Sequence, residues 1–247
     1  VSTATDTAPA LDYWAAAGQR RRADTGIDDR LRKFADRFPA GAHVVDLGCG
    51  DGRFLRLLEA RGVRATGVDQ SAAALDECVR AGLTAVRADA VAYLRQHGPF
   101  DGIFSAGLLE HLDRADVETL VARAAAQLSP GGLFLAVLPN PASLLAHLSL
   151  FHEDPTHVRF YPAGYVEALC RASGLEAIES REDEDTLGGW GGRFTADFAQ
   201  LEPLARRDPA VGVLVRVVED LATHFNTVLD QLVRPLEFYV AARKPRP

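Results

Sequence analysis

His43-Val-Val-Asp-Leu-Gly-Cys-Gly-Asp-Gly-Arg-Phe54 decides the fold. An apolar run carrying an acid ends in three glycines at alternate positions, Gly48, Gly50 and Gly52, and a helical pattern opens at Arg53. Glycines there let the backbone turn tightly after a strand and approach a ligand closely where a Cβ would collide. The spacing is Gly-x-Gly-x-Gly, whereas dinucleotide sites use Gly-x-Gly-x-x-Gly. Asp46 beside the loop would repel a phosphate and attract a cationic amino-acid end. The same stretch also reads as a tight strand-to-helix connection and nothing more.

Outward from the loop, short apolar runs alternate with helical stretches. Ala65 to Val68 precedes a helix to Arg80, Ala85 to Arg87 precedes Ala90 to Gln96, and Gly102 to Ser105 precedes a helix from Arg114 to Leu128. The turn Ser129-Pro130-Gly131-Gly132 then leads into Leu133 to Leu138. This alternation predicts βαβ units and a doubly wound α/β sheet covered on both faces. Upstream, residues 1–10 read as a loose tail and Leu11 to Phe38 as helical, broken at Asp24-Thr25-Gly26. Downstream the pattern predicts helices over Ala142 to Leu150, Ala163 to Ser173, Thr195 to Arg206 and Val211 to Leu232. Strands are expected over Glu176 to Ser180 and Leu236 to Ala242. The expected division is a tail with cap helices over 1–38 and a core domain over 39–247. Insertions at about 139–160 and 183–233 would form a substrate cap beyond the carboxyl ends of the strands.

Two further strand ends join the glycine loop. Ala65-Thr-Gly-Val-Asp69 ends in an acid 17 residues after Gly52, where a carboxylate can accept both hydroxyls of a ribose; Asp69 also reads as a cap for the helix after Ser71. Val86-Arg-Ala-Asp89-Ala90 puts a carboxylate within reach of an adenine amino group. Together they describe a nucleoside site. With Phe100-Asp-Gly-Ile-Phe-Ser105 and Leu128-Ser-Pro-Gly-Gly132, this ordered set resembles the class I S-adenosylmethionine-dependent methyltransferases from about Val44 to Leu138. The resemblance implies a Rossmann-like seven-stranded sheet whose last strand runs antiparallel. It places Asp46, Gly48, Cys49 and Gly50 around the methionine part and Asp69 with Gln70 at the ribose. Asp89 and Ala90 would hold the adenine, with Ser105 and Ala106 against the sulfonium.

Methyl transfer demands alignment and water exclusion, and a hydroxyl acceptor also needs its proton removed by a base or a metal. Glu110-His111 follows the fourth strand, and Phe151-His-Glu-Asp-Pro-Thr-His-Val-Arg-Phe-Tyr-Pro162 carries Asp154 and His157. Imidazoles titrate near neutral pH, so His111 and His157 are the candidate bases; each also reads as a purely structural residue, a cap or a loop anchor. The pair Glu110-His111 and the later Thr156-His157 resemble ubiquinone-type O-methyltransferases and small-RNA 2'-O-methyltransferases. There, Glu110, His111 and His157 would bind a divalent ion such as Mg²⁺, with Asp154, Glu153 or His152 recruited because Gly107 stands where a carboxylate is usual. The Asp154-to-Pro162 phrase looks like bacterial enzymes acting on glycans and sugar-containing metabolites, including antibiotic precursors. Glu110, Asp154, Tyr13 and Trp190 are the expected acceptor contacts.

The run Arg181-Glu-Asp-Glu-Asp-Thr-Leu-Gly-Gly-Trp-Gly-Gly192 is expected either as a solvated loop or as an acidic lid for a cationic acceptor, with Trp190 stacking on a ring. Over 247 residues the formal charge is -7, which disfavours nucleic acid as a partner. The expected partner is a small molecule. Cys49, Cys78 and Cys170 lie far apart and read as reduced thiols; no stretch is apolar enough to span a membrane or form a leader, so a cytoplasmic enzyme is expected. The function expected is O-methylation of a sugar, aminocyclitol or related secondary metabolite. Rivals are N-methylation of an amino sugar, O-methylation of a phenol or quinone, RNA methylation, and a cofactor-binding protein without activity.

Overall fold

The structure is a computed structural model that describes residues 26–186 and 199–247. The elements begin with α1 (Ile27–Ala35), β1 (His43–Leu47), α2 (Arg53–Glu59), β2 (Arg64–Asp69) and α3 (Ala72–Arg80). Next come β3 (Ala85–Arg87), α4 (Ala90–Gln96), β4 (Phe100–Ala106), α5 (Arg114–Gln127) and β5 (Leu128–Pro139). The chain closes with α6 (Ala163–Ala172), β6 (Glu176–Glu182), α7 (Glu202–Ala205), α8 (Pro209–Leu232) and β7 (Glu237–Arg243). Seven strands form one sheet in the order β3-β2-β1-β4-β5-β7-β6. The first five are parallel, and β7 runs antiparallel to both β5 and β6, as the resemblance implied.

Burial on both faces explains the apolar strands. One face packs Val45, Ile103, Phe134 and Val240 under α4, α5 and α6. The other packs Val44, Phe104, Leu135 and Ala241 under α1, α2 and α3. Phe54 of α2 stacks on Phe104 at 3.7 Å between ring centroids, and Phe38 fills the space that a Cβ at Gly102 would occupy. Apolar burial of this kind supplies the dominant driving force for folding.

The structure departs from the expected boundaries in three places. Ser129 to Gly132 is an irregular part of β5, since Phe100 pairs with Leu128 and Gly102 with Leu133; the Gly131 amide donates to Lys244 and holds this bulge to the far end of the sheet. Ala142 to Leu150 is helical only from Leu144: after a turn at Asn140, two α-helical residues run into a π-helix over Ala146–Phe151, and Ser143 Oγ accepts the Ala146 amide at 3.3 Å at its start. The Thr195 to Arg206 expectation falls partly outside the described residues, and its described part is a 3₁₀ turn over Ala199–Leu201 followed by α7. Residues 1–10, Tyr13, Trp14 and Trp190 also lie outside the described residues.

Candidate active site

The strand register brings the first set of residues to one edge. Asp46 pairs with Gly67 and Phe104, Leu47 with Val68 and Ser105, and Asp69 with Arg87. Thus Asp46, Asp69 and Ser105 share the carboxyl edge of adjacent strands with Asp89, which follows β3 as the N-cap of α4. This is the switch point between β1 and β4, where doubly wound sheets open a crevice.

The glycine loop is held from two sides. The Gly50 amide donates to Asp69 Oδ2 at 2.9 Å, and the Ser71 amide donates to Asp69 Oδ1 at 2.8 Å. Below the loop, Cys78 Sγ donates to the Gly50 carbonyl at 3.3 Å. Gly52 begins α2 at φ 77°, and a Cβ there would lie 2.5 Å from Leu83 Cδ1. Crowding and left-handed backbone both require glycine. The bond to Cys78 and burial together push the Cys49 thiol far above its ordinary range, so it is inert.

Asp46 is buried, and among the described residues no hydrogen bond or ion pair reaches its carboxylate. Burial first, and the neighbouring Asp69 charge second, hold its pKa well above the usual carboxylate range. Such a group favours an incoming cation. Asp89 both caps α4, accepting from the Ala92 amide at 2.8 Å, and accepts from Gln70 Nε2 at 3.1 Å. Ser105 is fully buried, while Ala106 is partly exposed at the rim.

A second set of residues converges from two loops. Gly107 has φ 65°, which turns the chain after β4 into a 3₁₀ turn over Leu109–His111. Leu109 is fixed in the core. The loop after β5 returns beside it, with the Val158 amide donating to the Glu110 carbonyl at 2.7 Å. Ligand atoms of Glu110, His111 and His157 lie within 4.8 Å of one another. His157 Nε2 is 3.9 Å from Glu110 Oε1 and 4.0 Å from Asp154 Oδ2, while its Nδ1 donates to the Phe151 carbonyl at 2.8 Å. Asp154 is turned to Thr156, accepting its amide at 2.9 Å and its hydroxyl at 2.5 Å. That hydroxyl also lies 2.8 Å from His111 Nδ1. Sequence reasoning quoted Thr156 only within a motif and gave it no role. The Asp-x-Thr spacing, which closes an Asx turn, was the available signal.

The acidic run is paired with cations of the chain. Glu182 pairs with Arg234 at 2.7 Å and accepts from Asn140 at 3.0 Å. Asp183 is buried against Lys33, and Asp185 meets the same ammonium at 2.6 Å. Three of the four acids therefore tie α1 and the α8 exit to the sheet edge.

Comparison with known proteins agrees with this architecture. A family described as a methyltransferase domain matches residues 19–180, more than half of the chain. An O-methyltransferase of Aspergillus sclerotiorum is 24% identical over 231 residues, covering 86% of this chain and 83% of that protein. Trans-aconitate 2-methyltransferase of Paracidovorax citrulli is 37% identical over 117 residues, 45% of this chain and 44% of that one. A SAM-dependent methyltransferase from Archaeoglobus fulgidus superposes with a TM-score of 0.75 at 22% identity, over 95% of this chain and 100% of that chain. Haemonchus contortus phosphoethanolamine N-methyltransferase 2, solved with S-adenosyl-L-methionine, gives 0.58 at 20% identity over 90% and 53%. Likeness to the solved structures speaks to the fold. With the matched domain it leads to one conclusion: the chain belongs to the methyltransferase-domain family and is a class I S-adenosylmethionine-dependent methyltransferase.

Proposed function

We propose that the chain methylates a hydroxyl group of a small molecule, a sugar, an aminocyclitol or a related secondary metabolite, with His111 as general base. The observation that carries this reading is the convergence of His111, His157 and Glu110 beside the carboxyl edge of β1 and β4. The O-methyltransferase relative, which spans most of both chains, supports a hydroxyl acceptor. The amino-sugar alternative loses its main support, because the acidic run is engaged by Lys33 and Arg234. A charge of -7 opposes an RNA acceptor.

The cofactor assignments follow the edge. Asp46, Gly48, Cys49 and Gly50 surround the methionine part, Asp69 and Gln70 the ribose, Asp89 and Ala90 the adenine, and Ser105 with Ala106 the sulfonium. The support is Asp46: a buried carboxylate beside a second acid is complementary to an ammonium group. Asp69 keeps lone pairs for ribose hydroxyls beyond the two amides it accepts. Held by these residues, S-adenosylmethionine would supply an electrophilic methyl group for the acceptor oxygen, the electron pair of the broken carbon–sulfur bond staying on sulfur. The hydroxyl proton passes to His111 Nε2. His157 and Glu110 hold the acceptor side of the pocket, and the segments 1–38, 139–160 and 183–233 select the acceptor. Buried free thiols at Cys49, Cys78 and Cys170 suit a reducing, cytoplasmic setting.

Glu110, His111 and His157 also fit a divalent ion. Two imidazoles and one carboxylate suit zinc or manganese better than the magnesium the resemblance implied; Asp154 gives Oδ1 to Thr156 and keeps Oδ2 4.0 Å from His157 Nε2. Such an ion would lower the pKa of the acceptor hydroxyl.

The test is incubation with labelled S-adenosylmethionine against neutral sugars, amino sugars, phenols and trans-aconitate, with and without chelator. Hydroxyl methylation that falls on the order of 100-fold or more in His111→Ala is expected. Turnover confined to amines and indifferent to His111→Ala would overturn the reading.

A further inference from the structure

We propose that Thr156 is a positioning residue that sets the tautomer of His111. The inference rests on His111 acting through Nε2, as proposed above, and adds what makes that nitrogen basic. The loop after β5 builds the device within three residues. Asp154 Oδ1 accepts both the Thr156 amide, at 2.9 Å, and the Thr156 hydroxyl proton, at 2.5 Å. The first contact fixes the backbone and the second fixes the side-chain rotor.

A threonine hydroxyl has one proton to give. With that proton on the Asp154 carboxylate, Thr156 Oγ1 faces His111 Nδ1 at 2.8 Å as an acceptor. A contact of that length is a hydrogen bond only if the imidazole provides the proton. His111 therefore carries its hydrogen on Nδ1, and the lone pair of the neutral ring sits on Nε2. The relay runs His111 Nδ1–H to Thr156 Oγ1–H to Asp154, with every proton directed toward the carboxylate.

The neighbouring ring obeys the same rule by another route. His157 Nδ1 donates to the Phe151 carbonyl at 2.8 Å, which leaves Nε2 facing Glu110 and Asp154. The two imidazoles stand 4.6 Å apart between centroids, each with Nδ1 held by an oxygen of the loop after β5. Backbone bonds from Val158 and Arg159 to the Glu110 carbonyl keep the two loops in this relation.

The experiment uses the full chain labelled with ¹⁵N-histidine. Long-range proton–nitrogen spectra recorded where the imidazoles are neutral distinguish the two tautomers, and His111→Gln assigns the signal. Wild type and Thr156→Ser are expected to show His111 protonated on Nδ1. Thr156→Val, which keeps the shape and removes the hydroxyl, is expected to move the proton toward Nε2 and lower kcat on the order of 100-fold with KM little changed. Thr156 is exposed, so the valine variant should fold. An unchanged Nδ1–H signal in Thr156→Val, or a serine variant that behaves like valine, would overturn the proposal. Failure of the underlying reading is distinguishable. In that case His111→Ala keeps wild-type turnover while the tautomer still follows the hydroxyl at position 156.

Discussion

The amide of Gly50 donates to the carboxylate of Asp69 across 2.9 Å, so the acid proposed for the ribose also holds the loop proposed for the methionine part. Its other oxygen caps the turn into α3 through the Ser71 amide. Replacing Asp69 by alanine removes two charge-assisted bonds as well as the ribose acceptor. Cofactor affinity should fall about 100-fold or more, equivalent to about 2.7 kcal/mol. Titration calorimetry checks this, and affinity within threefold of wild type would remove Asp69 from the site.

Asp46 gives a pH-dependent prediction whose sign follows from its environment. Its folded-state pKa is raised by burial and by the Asp69 charge, so the folded chain binds a proton there more tightly than the unfolded chain does. That contribution to stability is present below the ordinary carboxylate pKa and is lost as pH rises toward the raised value. An ammonium group placed beside Asp46 reverses the preference, so at pH values below the raised pKa S-adenosylmethionine binding should release a proton. Calorimetry in two buffers of different ionisation enthalpy measures that release. Asp46→Asn should show no such release, greater stability without cofactor at alkaline pH, and weakened binding.

Local pattern made the carboxyl edge of the sheet legible, because each of its backbone demands is met within a few residues. Glycines at 48, 50 and 52 follow directly from a backbone that must turn and leave room, and acids at strand ends read as such from the alternation. What escaped the sequence depends on partners far apart in the chain. Lys33 meets Asp183 from 150 positions away, which ties the start of the acidic run to α1. Thr156 meets His111 across 45 positions. Both are consequences of how loops return to the sheet, and no periodicity encodes them. The helical spacing of the apolar residues before Phe151 is met by a helix of wider pitch, a π-helix over Ala146–Phe151.

Lys33 should matter for stability and not for acceptor choice. Burial opposes its charge, but the bonds to Asp183 and Asp185 outweigh that effect and raise its pKa. The pair's stabilisation is therefore intact below the ordinary lysine pKa and fades as pH rises past it into the strongly alkaline range. Lys33→Met leaves the buried Asp183 carboxylate without its cation, at a cost of about 1–3 kcal/mol. Thermal melts of Lys33→Met and Asp185→Asn should both fall, with a smaller drop for the exposed Asp185. A large rise in KM for a cationic acceptor in Asp185→Asn, with unchanged melting, would restore the acidic run as a substrate lid.

Gly52 and Gly174 separate crowding from backbone strain. Both have left-handed φ angles, 77° and 79°, but a Cβ at Gly52 would sit 2.5 Å from Leu83 Cδ1 and 3.0 Å from Cys78 Sγ, whereas at Gly174 it would meet nothing within 4 Å. Gly174→Ala should therefore lose only the αL penalty, about 1 kcal/mol. Gly52→Ala adds overpacking of about 1–3 kcal/mol to the same penalty. Because Leu83 and Cys78 support the loop whose Gly50 carbonyl accepts from Cys78, the strain should also weaken S-adenosylmethionine binding. Denaturant melts and calorimetry on both variants test this directly. Equal losses of stability would mean that left-handed backbone alone requires glycine at position 52, and unaltered binding in Gly52→Ala would separate the loop's packing from its proposed role at the cofactor.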